Sequence, residues 1–347
     1  MHESRHAARV LLKFARMEGV DHGGARPCLP PSGEVEAYGV FAPTGTWLDA
    51  GKADVVRVRP RRSTLSLVLG ITMLLAPTPG RGVALDPGDA VDPPQPPAAV
   101  LYLFAHQDDE YFILARMARE VAAGRAVHAA WITDGARRGS SARRNAESIA
   151  VMARLGIPPA RLHFLAFPDQ DAVSHLAQIH AQVRALDAQH RFVAITTPAY
   201  EGGNIDHDVA ALIGALLVAE AQERLEHFEF PLYHHHDGRG RVGVFLPHPE
   251  ATVEYTRLDP GDRVLLRQAL WTYRSQRWLL LGLRLRSDRK TLREHGEPFR
   301  RAPAYDFLAR PSHELCGYEV VRRRRAPFDR WLEAVRPFLD QVEFQRG

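Results

Sequence analysis

The sequence predicts an α/β fold of three layers, in which helices cover both faces of a mainly parallel sheet and less regular elaborations follow at the C-terminus. Three observations lead there. Short, continuous apolar runs alternate with stretches of helical spacing between about residues 99 and 233. The helical stretches are long enough for right-handed crossovers between parallel strands. Histidines and acids gather just beyond the apolar runs, at the carboxyl ends of strands, where open sheets of this kind bind ligands.

Taken in order, Ala99–Ala105 is an uninterrupted apolar run, as expected of a strand buried on both faces. Asp109 to Ala123 carries Phe112, Ala115, Ala118, Val121 and Ala122 on one side, and Gly124 stops it. Val127–Thr133 is the second strand, and Ser141 to Leu155 the second helix, ended by Gly156 and Pro158-Pro159. Leu162–Phe167, Val173–Leu186, Phe192–Thr197, Ile205–Ala219 and Phe228–Tyr233 continue the alternation. This order describes a Rossmann-like three-layer fold. Beyond residue 240, Val242–Leu246 and Ala251–Tyr255 read as short strands, and Pro260–Gln276 and Phe328–Leu339 as helices covering a sheet edge.

Organisation outside this core is read from composition. Residues 1–58 show no core pattern and are expected to be an unstructured or misassigned extension. Residues 59–84 resemble a secretory signal peptide: basic Arg59-Pro60-Arg61-Arg62, an apolar run from Leu65 to Ala76, and the small-residue triplet Gly82-Val83-Ala84. The run is too short to span a bilayer comfortably. The expectation is translation from near Val55–Val58 and a periplasmic or secreted product, cytoplasmic if the segment is not processed. Residues 85–97, with Asp92-Pro93-Pro94-Gln95-Pro96-Pro97, read as an extended linker, so the folded domain is 98–347.

The 347 residues are 45% hydrophobic and 25% charged with a formal net charge of +4, the balance of an ordinary globular chain. Lysine occurs only at Lys13, Lys52 and Lys290, so the positive charge is nearly all arginine. The basic run Arg322-Arg323-Arg324-Arg325 has no interleaved aromatics and reads as a solvated turn, which excludes a nucleic-acid partner from the expectation. Two cysteines, Cys28 and Cys316, exclude a disulfide framework and a cysteine-based zinc cluster. No Gly-x-Gly-x-x-Gly follows the first strand, which argues against dinucleotide binding.

The chemistry concentrates at two places. His106-Gln107-Asp108-Asp109-Glu110 follows the first strand, and Asn204-Ile205-Asp206-His207-Asp208 follows a later one. Imidazole and carboxylate are zinc ligands, and a catalytic site needs three of them with one position left open. A carboxylate outside the ligand set can then move protons.

Ala105-His106-Gln107-Asp108-Asp109-Glu110 resembles the Ala-His-Pro-Asp-Asp-Glu signature of the LmbE/PIG-L family of zinc-dependent N-acetylglucosaminyl deacetylases. The resemblance extends over about 98–280, through Thr133-Asp134-Gly135, the Arg144/Glu147 pair, Phe167-Pro168-Asp169, Tyr200 to Asp208, Glu229 to His234, and Tyr273 to Gln276. It implies Zn2+ on His106, Asp109 and His207, with Asp108 as general base. Glu110 and Asp206 would orient the ligands from behind, while Arg144, Asp169 and His234 would touch substrate. Asn204 stands where relatives carry the oxyanion-stabilising histidine, so Asn204 or Tyr200 is expected to take that part. The expected reaction is removal of an acetyl group from an amino sugar or glycan by a hydrolase with no membrane span in its mature chain. The alternatives are a non-catalytic carbohydrate-binding protein on the same fold, or hydrolysis of another amide. The oligomeric state is left open. For the leader, N-terminal sequencing of the exported protein is expected to begin beyond Ala84; recovery of Met1 or His2 would contradict processing.

Overall fold

The computed structural model describes residues 97–322 and 327–346, together with Val40–Phe41 and Trp47–Leu48, which pair antiparallel. The signal-like segment 59–84 and nearly all of the linker 85–97 lie outside the described residues.

Five strands run in the predicted order: β1 Ala99–Phe104, β2 Ala126–Thr133, β3 Leu162–Phe167, β4 Ala194–Pro198 and β5 Glu226–Phe230. Helices α1 Leu114–Ala122, α2 Ser141–Arg154, α3 Leu176–His190 and α4 Ile205–Glu220 lie between them. β2, β1, β4 and β5 are joined in parallel, with β3 parallel beside β2. The chain builds outward from β1 to β3, then returns to lay β4 on the other side of β1. That reversal opens a crevice at the carboxyl ends of β1 and β4, the usual ligand position in such a sheet.

Alternation along β1 explains the three layers. Val100, Tyr102 and Phe104 pack with Leu114, Met117, Val151 and Met152 from α1 and α2. Leu101 and Leu103 face Ile179, Val183, Leu212 and Ile213 from α3 and α4. All eight residues of β2 are buried, as a strand covered on both faces requires.

The C-terminal portion continues the same sheet. After the hairpin β6 Tyr233–His236 and β7 Arg239–Val242 come β8 Glu254–Thr256 and β9 Glu297–Arg301. β9 joins β5 antiparallel, and β8 lies outside it, giving the order β8-β9-β5-β4-β1-β2-β3. Helix α5 Pro260–Thr272 packs on the α1/α2 face, and α9 Pro327–Arg346 on the α3/α4 face. Three short helices, α6 Arg277–Arg286, α7 Arg289–Glu294 and α8 Gly317–Arg322, complete the described elements. Among the described residues no helix is long and apolar enough to cross a membrane.

The predicted first helix is divided. Asp109–Phe112 forms a 3₁₀ turn, Ile113 departs from helical geometry at φ −137°, and α1 begins only at Leu114. The break is stabilised from far along the chain, since Glu297 on β9 accepts hydrogen bonds from the backbone N–H groups of Ala115 and Arg116.

β9 is held to the sheet by a buried ion pair. Arg300 donates to Glu229 at 2.6 Å and to the Leu246 carbonyl at 3.2 Å, and Tyr305 donates to Glu229 at 2.8 Å. Both charged groups are buried, so losing one partner strands the other in a medium of low dielectric. Arg300→Met is expected to cost about 3–5 kcal/mol in urea unfolding, with much of that recovered in Glu229→Met/Arg300→Met. A single variant as stable as the wild type would contradict the pairing's importance.

Candidate metal centre

The loop after β1 is tightly wound. Asp109 turns back so that its Oδ2 accepts the backbone N–H groups of Ala105 and His106, at 3.1 and 2.8 Å. This leaves Oδ1 facing inward, 3.2 Å from His207 Nε2. His106 Nδ1 stands 3.2 Å from the same His207 nitrogen. One donor atom from each of His106, Asp109 and His207 thus lies within 4.8 Å of the others, and all three residues are buried.

His207 arrives from the first turn of α4. The helix is capped by Asn204, whose Oδ1 accepts from the Asp206 N–H at 3.0 Å. Asp206 then faces the opposite edge of the His106 ring, with Oδ2 3.1 Å from Nε2. Asp169, from the loop after β3, reaches the same nitrogen at 3.4 Å. Burial by itself would lower the His106 pKa, but its hydrogen bonds to Asp109, Asp169 and Asp206 carry it well above the ordinary imidazole value.

His106, Asp169 and Asp206 form a second cluster with atoms close enough for an ion. The Asp206 carboxylate, however, is already occupied by the backbone N–H groups of Gln170 at 2.6 Å and Ala172 at 3.2 Å. The His106–Asp109–His207 group presents two buried imidazole nitrogens and a free carboxylate oxygen around one point. Metal bonds of about 2.0–2.2 Å in tetrahedral array place donors roughly 3.3–3.6 Å apart. The observed separations fit a divalent ion with nitrogen and oxygen ligands. Asp206 in turn occupies the position from which a carboxylate fixes the tautomer of a metal-binding histidine.

Asp108 lies beside this group but outside it. Its backbone is at φ 146°, a region that non-glycine residues enter at a cost of about 1–3 kcal/mol. Its N–H donates to Glu110 at 2.9 Å. Glu110, fully buried, is in turn held by Ser148, Trp131 and Tyr273, the last donating at 2.7 Å. Burial pushes the Asp108 carboxyl up to about 7, against the opposing pull of Arg144.

Several predicted residues occupy positions that change their reading. Arg144 is buried and donates to Asp108 Oδ1 at 2.8 Å and to the Gln107 carbonyl at 2.8 Å, so its guanidinium is engaged with the Asp108 loop. Tyr200 points away from the centre: its hydroxyl donates to the Ala309 carbonyl, and its ring packs among Tyr305, Phe307 and Trp331. Its hydroxyl is thus engaged by that carbonyl. His234 is buried against Glu201 at 3.5 Å and does not join the group. Gln107, in place of the common proline, ties the loop to the Thr133 carbonyl and to Asn145.

Tyr233 is the site residue that sequence reasoning missed. Its ring stands 5.2 Å from that of His207, and its hydroxyl accepts from Asn204 Nδ2 at 3.3 Å. Burial pushes the phenol up to about 12, so it keeps its proton. Gly203 makes this approach possible, because a Cβ there would lie 1.6 Å from the Tyr233 carbonyl oxygen. The only available signal was the position of Tyr233 in the Glu229–His234 segment, which carries no role by itself.

The comparisons with known proteins cover the same elements. Residues 101–218 match the family model for PIG-L, GlcNAc-PI de-N-acetylase. No curated protein sequence matches the chain. Among solved structures the chain is similar to a deacetylase in the biosynthesis pathway of teicoplanin, at 18% identity and TM-score 0.48, covering 60% of this chain and 100% of that one. It is similar also to the N,N'-diacetylchitobiose deacetylase from Pyrococcus horikoshii, at 16% identity and TM-score 0.43, covering 59% of this chain and 84% of that one.

Arg144 stabilises the charged form of Asp108, so its removal raises the Asp108 pKa. If catalysis needs the carboxylate, the acidic limb of the kcat/KM profile moves to higher pH in Arg144→Met, and Arg144→Lys restores part of the shift. An unmoved limb in Arg144→Met would break the link between the two residues.

Proposed function

We propose that the chain, whose residues 101–218 match the PIG-L family model, is a zinc-dependent N-deacetylase acting on an N-acetylated amino sugar or glycan. One observation carries the reading: His106, Asp109 and His207 converge on one point while Asp108, next to them, is left out of the donor set. A binding fold would have no need of a buried carboxylate with strained backbone beside three metal ligands.

Zinc bound there would supply Lewis-acid chemistry, acidifying water and polarising an amide carbonyl. The protein's own groups do the rest. Asp108 accepts the proton of the attacking water as its oxygen bonds to the acetyl carbon. It returns that proton to the amine nitrogen as the carbon–nitrogen bond breaks, releasing acetate and the free amino sugar. Burial suits this exchange, because it brings the carboxyl close to neutral pH, where it can both accept and give a proton.

Developing negative charge on the carbonyl oxygen needs a donor. Tyr233 retains its proton and already accepts from Asn204, leaving its O–H free to point toward the centre. Asn204 therefore acts through Tyr233, to which its Nδ2 donates, while its Oδ1 caps the helix. This pairing takes the part that relatives are expected to give to a histidine. Asp169 and Gln170, in the loop after β3 beside His106 and Asn204, would meet the sugar.

Asp108→Asn is expected to lower acetate release from N-acetylglucosamine derivatives by about 10²–10⁴-fold. Its zinc content, read by mass spectrometry, should be that of the wild type. Undiminished turnover in this variant would exclude the mechanism.

A further inference from the structure

A second cluster of imidazoles stands at the opposite pole of the sheet. His128 is near the start of β2, His163 near the start of β3, and His190 is the last residue of α3. His128 Nδ1 and His163 Nε2 are 3.1 Å apart. The two rings are stacked with planes 3° apart, and the His190 ring centroid lies 4.3 Å from that of His128. One ring nitrogen from each of the three falls within 4.8 Å of the others. His128 is buried, His163 and His190 are half-buried, and Phe192 packs against the His128 ring.

We propose that His128, His163 and His190 form a second metal site, which takes a divalent transition-metal ion such as Zn2+. A single N–H···N bond between His128 and His163 would satisfy two ring nitrogens. It would not account for a third ring, from a different element, presenting its nitrogen to the same point. The 3.1 Å separation is close to the donor spacing around a tetrahedral ion, and three imidazoles leave a fourth position for water. The donor set is also selective. Imidazole nitrogens without a carboxylate suit zinc, copper or nickel and disfavour calcium and magnesium, which prefer oxygen.

The bound ion would connect β2, β3 and the end of α3, elements otherwise joined by sheet pairing and core contact. This role is structural and independent of the chemistry at the far pole.

The full chain, stripped by chelation and reloaded with Zn2+, tests the assignment by mass spectrometric metal counting and thermal melting. The wild type should hold two ions, and His163→Gln/His190→Gln one. The second equivalent should raise the wild-type melting temperature and leave that of the double variant unchanged. His207→Ala should lose one ion and keep the other, which separates this site from the catalytic reading. His190→Gln alone, at a half-buried helix end, should weaken the second equivalent by at least about tenfold, and it keeps the test open if the double variant fails to fold. One ion in the wild type, or two in His163→Gln/His190→Gln or undiminished affinity in His190→Gln, would overturn the proposal.

Discussion

The His106 ring holds the two halves of the sheet's crevice together, and most of the site depends on how its edges are divided. One nitrogen faces Asp109 and His207, and the other faces Asp206 and Asp169. His106 and Asp109 come from the end of β1, His207 and Asp206 from the start of α4, and Asp169 from beyond β3. A buried imidazole between carboxylates on both edges is stable only while each partner stays in place, because an unpaired buried charge is costly. The parallel strand pairing is therefore expressed directly in the geometry of the donor atoms.

Around that ring the chain invests many hydrogen bonds in rigidity. Glu110 touches neither His106 nor His207 among its described bonds, yet it holds the Asp108 N–H and is itself held by three side chains from three elements. Arg144 grips the same loop from α2 through the Gln107 carbonyl and the Asp108 carboxylate, and ties it to the loop after β2 through the Gly135 carbonyl. A strained φ at Asp108 persists because these contacts over-determine it. The consequence is a carboxylate with little freedom, which is what proton exchange with a fixed centre requires.

Much of this was legible in the sequence, for identifiable reasons. β1 to β4 lie in apolar runs, and polar clusters just past β1 and β4 mark the crevice. The pairing of His106 with Asp109 is what the family resemblance implies, and their spacing at a strand end agrees with it. Other features depend on contacts between distant residues. Glu297-Pro298-Phe299-Arg300-Arg301 has no element assigned to it by pattern, and it becomes a strand through its pairing with β5 and the buried Arg300–Glu229 contact. Arg144 is expected from the family resemblance to touch substrate, and only the folded loop shows its contact with Asp108. Tyr200 and Tyr233 are equally plausible hydroxyl donors by type. Their difference lies in which side of the β4–α4 loop each one packs against, and local pattern has no term for that.

The central claim is that one ion is held by His106 Nδ1, Asp109 Oδ1 and His207 Nε2, with Asp108 outside the ligand set. A crystal structure of the zinc-loaded protein, with anomalous scattering recorded at the zinc edge, addresses it most directly. The account predicts a peak within bonding distance of those three atoms and not of either Asp108 oxygen. A peak among His106 Nε2, Asp169 and Asp206, or no peak at this end of the sheet, would contradict it.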